Sequence, residues 1–125
     1  MGSSKAVPAG AGSVKQESPC VCNFHVFSDT EKQRHSELMQ KLKDATIETT
    51  ETADGFTFLL KPEFVAVTEV AEWISYERHC CSFFNFQIEL QSQDSRIRLR
   101  LYGGSKVKEF LRPDVEHNSV FDPKF

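Results

Sequence analysis

Apolar residues in this chain recur at two periods, and the switches between them mark out successive elements. From Ser28, "SDTE" has the S-x-x-E form of a capping box, in which hydroxyl and carboxylate each satisfy a free backbone N–H at a helix start. His35, Leu38, Met39 and Leu42 then stand at i, i+3, i+4 and i+7, which predicts a helix to about Asp44 with that face turned inward. "TIETTET" and "FTFLLK" follow with period two, Ile47, Thr49 and Glu51 alternating with Glu48, Thr50 and Thr52, while Phe56, Phe58 and Leu60 share a face. Asp54-Gly55 between them is expected to supply the positive φ angles of a tight hairpin turn. Pro62 suits the first turn of a second helix, continuing through "EFVAVTEVAEWISYERHCC" to about Cys81 with Val67, Val70, Ala71, Ile74 and Cys81 as its main stripe.

The period then returns to two. Phe84, Phe86, Ile88 and Leu90 share one face of "FFNFQIELQ", and Ile97, Leu99 and Leu101 share one face of "RIRLRLY", across a turn at Ser92 to Ser95. A third helix is predicted from Ser105, after Gly103-Gly104, stopping before Pro113. The expected fold class is α+β, a single domain in the order α-β-β-α-β-β-α, with a four-stranded antiparallel sheet and helices on one face. Its expected bounds are residues 19–112. Residues 1–18, rich in Gly, Ala, Ser and Pro, read as a disordered leader, and residues 113–125 as a flexible tail despite Val115, Val120 and Phe121.

Composition refines this picture. A chain of 125 residues can bury one ordinary core, and 11 Phe against 1 Trp and 2 Tyr make that core one of large aromatic volumes. With 15 Lys plus Arg against 18 Asp plus Glu, the net charge is −3, which argues against nucleic acid or an anionic membrane as partner. No apolar run nears the ~20 residues of a membrane span, and the first residues lack the apolar segment of a secretory signal. A cytoplasmic protein is therefore expected, with no indication of a protein partner. In a reducing compartment, paired thiols point to metal binding or redox chemistry rather than a structural disulfide.

The chain has 4 cysteines, in two pairs: Cys20 and Cys22 in "PCVC", and Cys80 and Cys81 in "ERHCC". Glu77 precedes the second pair by three and four residues, which on a helix sets its carboxylate on the side shared by both thiols. Cys20 and Cys22, two apart, face one way if extended. Should the N-terminal segment run beside the end of the second helix, four thiolates can meet around a tetrahedral ion, with His25 or Glu77 in reserve. Thiolates favour Zn(II), Cu(I) or another thiophilic ion over Mg(II) or Ca(II). The spacing matches no familiar zinc finger, so two further readings stand beside the metal: a thiol-disulfide redox protein using Cys80 or Cys81, and an interaction module whose cysteines are core packing.

Other candidates have plainer readings. His35 on an apolar stripe reads as a satisfied core histidine rather than a base. Arg96, Arg98 and Arg100 make a basic row on the polar strand face, for which Glu89 and Glu48 are the expected cross-strand partners. No phosphate-binding glycine loop, nucleophile elbow or H-E-x-x-H motif occurs.

"WISYERHCCSFFNFQIEL", Trp73 to Leu90, resembles a pattern of small, largely uncharacterised bacterial proteins, approximately E-R-x-C-C-P-F-x-x-F, followed there by a strand pair and a closing helix like "GGSKVKEFL" here. Ser82 stands where those proteins carry proline. The resemblance implies that Glu77, Arg78, Cys80, Cys81, Phe83 and Phe86 form one motif, and attaches no function to it.

Overall fold

Ser28 begins the fold as the pattern requires. Its hydroxyl accepts from the Glu31 N–H at 3.1 Å while the Glu31 carboxylate accepts from the Ser28 N–H at 2.8 Å, closing the capping box. The computed structural model describes residues 27–80 and 83–122. Its elements are α1 (Asp29–Ala45), β1 (Thr46–Glu51), β2 (Gly55–Leu60), α2 (Val67–Cys80), β3 (Asn85–Gln91), β4 (Asp94–Tyr102) and α3 (Ser105–Glu116), in the expected α-β-β-α-β-β-α order. All strand pairings are antiparallel, and the sheet order is β1-β2-β4-β3. The two richest apolar strands thus sit in the centre: Phe56, Phe58 and Leu60 pair with Leu101, Leu99 and Ile97, and all six are buried. Leu38, Met39 and Leu42 of α1, Val70 and Trp73 of α2, and Val107 and Leu111 of α3 join them in one core on that face. Among the described residues no helix is long and apolar enough to cross a membrane.

Four local expectations are corrected. Asp54-Gly55 has no positive φ; the turn closes instead through the Thr52 N–H donating to the Gly55 carbonyl at 2.8 Å. Gly55 is required for another reason, because a Cβ there would lie 2.0 Å from the Leu101 carbonyl oxygen, inside the β2–β4 backbone approach. The second helix starts after Ala66 rather than at Pro62, whose turn ends where Val65 enters the core at 2% exposure. Ala66 has no capping side chain, and the Glu69 carboxylate takes its N–H at 3.0 Å instead.

The buried stripe of α2 is also turned. Val67 and Ala71 are exposed, whereas Val70, Trp73 and Glu77 face inward. The large indole outweighs the small alanine in apolar area removed from water. Trp73 meets Phe86 and Phe121 edge-on, with centroids at 6.0 and 5.6 Å, and its N–H donates to Met39 Sδ at 3.0 Å.

The chain after residue 112 is not a loose tail as far as Asp122. α3 runs through Pro113 to Glu116 and ends on Asn118 at φ 56°, with the Asn118 N–H donating to Val115 and the Ser119 N–H to Asp114, the two bonds of a Schellman cap. That reversal carries Phe121 into the core at 4% exposure, 5.1 Å from Phe58 centroid to centroid. The fold therefore extends beyond the expected boundary at 112. Gly104, at φ 97°, makes the entry to α3.

Candidate functional site

The burial of Glu77 directs attention to the last turns of α2. A carboxylate inside a core requires a partner, because its desolvation is otherwise prohibitive. α1 supplies one: His35, fully buried, places Nε2 2.6 Å from Glu77 Oε2. The two side chains share one short hydrogen bond across the α1–α2 seam, with the donor set by the histidine tautomer. The Tyr76 ring stands edge-on to His35 with centroids 5.8 Å apart, and burial, followed by the Glu72 and Glu31 charges, pushes the Tyr76 hydroxyl pKa upward. Phe27 packs edge-on against Tyr76 at 5.3 Å and against His79 at 5.9 Å. The residue just before the Ser28 cap thus lies on the final turn of α2.

A second, wetter set of charges locks the same two helices together. Arg34 donates from Nε and one terminal nitrogen to the two Glu72 carboxylate oxygens, each at 2.9 Å, and lies 3.5 Å from Glu69 and 3.3 Å from Glu37. Lys41 lies 3.4 Å from Glu69. The hydrogen bond from Arg34 holds the Glu72 carboxyl below its usual range, and the Ala66 N–H, with Lys41 behind it, does the same for Glu69. These contacts set the spacing of α1 against α2 and so support the His35–Glu77 bond inside.

Of the residues expected to ligate a metal, Glu77 is the one whose side chain is described. Cys20, Cys22, His25 and Cys81 lie outside the described residues, and Cys80 is the last residue of α2. Among the described residues no group of three or more His, Cys, Asp or Glu forms a metal site. In the sequence, His35 falls on a buried stripe and Glu77 near the thiols, and the two were not joined there. One signal was present: a titratable residue on the inward face of each of two packed helices invites a pair.

The arginine row has partners other than those expected. The close ion pairs run from Arg96 and Arg98 to Asp94, at 2.8 and 3.4 Å, and from Arg100 to Asp54 at 2.6 Å, while of the expected partners Glu48 acts on Arg96 through its charge and Glu89 stands across from Arg98 in the β3–β4 register. The side-chain and backbone hydrogen bonds from Arg96 hold the Asp94 carboxyl well below the ordinary range. Arg100 also lies 4.1 Å over the Tyr102 ring. The row is a surface whose charge is already answered.

Compared with known families, curated proteins and solved structures, the chain gives no match.

Proposed function

We propose that this is a small cytoplasmic protein that binds a thiophilic metal ion, Zn(II), Cu(I) or similar, through Cys20, Cys22, Cys80 and Cys81, with Glu77 as auxiliary ligand and His25 as a further candidate. The observation that carries this reading is the packing of Phe27 on Tyr76 and His79. It holds the described start of the chain beside the end of α2, and Cys22 precedes Phe27 by five residues, an extended reach of roughly 17 Å. Chain length therefore allows the two cysteine pairs to meet, as a four-thiolate site requires.

Two features add support. Glu77 is a buried carboxylate held by a hydrogen bond, as ligating carboxylates are, one helical turn before Cys80. The negative end of the α2 dipole favours a bound cation and disfavours a bare thiolate, which ranks metal binding above thiol-disulfide exchange. Elemental analysis of protein purified without chelator, followed by Zn(II) and Cu(I) titration, tests the proposal. Uptake lost in the Cys80→Ser, Cys81→Ser variant is the expected result. Absence of uptake by the unsubstituted chain, with four unreactive thiols, would overturn it.

A further inference from the structure

We infer that the outer edge of β3 docks a second copy of this chain, the two β3 strands pairing antiparallel so that two sheets become one; the inference does not depend on any metal. β3 closes one side of the sheet, and among the described residues β4 is its one strand neighbour. An edge strand presents unpaired N–H and C=O groups that template another strand unless something blunts them. The opposite edge is blunted. β1 carries Glu48 and Glu51, its register against β2 breaks between Thr46 and Glu48, and Arg112 and Lys108 of α3 hold Glu51. β3, "NFQIELQ", has no Pro and no Lys, Glu89 is its one charged residue, and its pairing with β4 is continuous from Asn85 to Leu90. Its inner face is also left partly uncovered, because the helices pack mainly over β2 and β4. Phe86, Ile88 and Leu90 share the face of Leu101, Leu99 and Ile97 across the strand pair, yet Ile97 is 1% exposed and Leu90 beside it 57%, the highest among the large apolar side chains described.

What selects a second copy as the occupant is that β3 complements itself. Residues directly opposite in an antiparallel pair point to the same face, so a two-fold pairing has to centre on a residue. Centred on Ile88, the middle of Asn85–Gln91, the pairing aligns the strands end to end, with Phe86 facing Leu90, Gln87 facing Glu89 and Asn85 facing Gln91 of the other copy. Apolar meets apolar and polar meets polar at every step, and Glu89 meets an amide rather than a charge. Arg100 occupies the Gln87 carbonyl oxygen at 3.2 Å, so the amide N–H groups of Gln87 remain to donate to that carboxylate. Centred on Glu89 instead, the strands would set two carboxylates face to face, which opposes pairing. In the favoured register Phe86, Ile88 and Leu90 of both copies form one apolar strip, and its removal from water supplies affinity beyond the backbone ladder.

Sedimentation of the full chain across a concentration series reaching the millimolar range tests this, and a monomer–dimer equilibrium is the expected result. Ile88→Lys and Ile88→Glu each set like charges opposite one another and should weaken self-association about 100-fold. An equimolar mixture of those two variants should pair again, because the residues at this position face each other, and recovery shows that both remain folded. Leu90→Asp, at a position already exposed in the single chain, should also disperse the dimer, and it keeps the test decisive if substitution at Ile88 disturbs folding. Ile47→Lys on the β1 edge should leave the equilibrium as it is. A dimer that survives Ile88→Lys or Leu90→Asp, folded Ile88 variants that do not pair when mixed, or dissociation by Ile47→Lys would each overturn the proposal. So would a chain that stays monomeric throughout: slow hydrogen exchange at the outward β3 amides would then assign the edge to a segment of the same chain, and fast exchange would leave it to an extended strand of another protein.

Discussion

Charged groups meet on both sides of this sheet, yet the two sides work differently. Under the helices, His35 and Glu77 are bonded with the histidine side chain fully buried and the glutamate side chain 11% exposed. On the open face, Arg96, Arg98 and Arg100 pair with Asp94 and Asp54, with arginine side chains 25–45% exposed. The residue types are equally polar, and the access of water separates them. Water screens the outer pairs and replaces a missing partner at little cost, whereas at the α1–α2 seam a group that loses its partner stays desolvated. Two bonded polar residues inside are therefore stronger grounds for a specific role than a whole row outside.

The comparison breaks most visibly at Glu77. Glu77→Ala removes this hydrogen-bond partner from the fully buried His35 and should destabilise the fold by ~3 kcal/mol, between the value of a charge-assisted hydrogen bond and that of a broken buried ion pair. Urea unfolding measures this, and a loss below ~1 kcal/mol would place the pair with the hydrated ones. Arg98→Ala, by contrast, should shift stability by no more than ~0.5 kcal/mol, and raising the salt concentration should shrink even that. A large loss there would show that the outer row holds the sheet together.

The smallest effect is at the sheet edge, where Glu51 of β1 receives a fork from Arg112 of α3 at 3.2 and 3.1 Å and a contact from Lys108 at 2.7 Å. The hydrogen bonds from Arg112 and then Lys108 lower its pKa from the usual 4.5 to about 2. Because folding depresses this carboxyl, its stabilisation is complete above 4.5, declines below it, and is gone once the pH falls past about 2. The difference in unfolding midpoint between the unsubstituted chain and Glu51→Gln should therefore close across that window. A gap persisting at the acid end would mean that the clamp acts through packing rather than charge.

Most of the secondary structure could be read in the residues because its causes are local. The Ser28–Glu31 box, the i, i+3, i+4, i+7 stripe of α1 and the period of two in β2 and β4 each depend on neighbours within one turn or one strand. The errors came where distant residues outvoted local ones. Pro113 suggested a helix end, yet α3 continues through it to the Schellman turn at Asn118. What favours that longer path is the docking of Phe121 on Phe58 and Trp73, which belong to other elements.

The candidate site divides in the same way. The grouping of Glu77 with Cys80 and Cys81 was visible as helical spacing, because a side chain's neighbours one turn away follow from the backbone period. Its bond to His35 was not, since 42 residues separate the two and nothing short of the α1–α2 packing brings them together.

The sequence by itself determined the seven elements, their order and most of the apolar faces they would bury, because periodicity and capping act over a few residues. Tertiary structure alone decided that Gly55 serves a close strand approach, that Trp73 and not Ala71 faces the core, and that Glu77 is held by His35. Each of those depends on which surface another element presents, and that is settled only when the whole core closes.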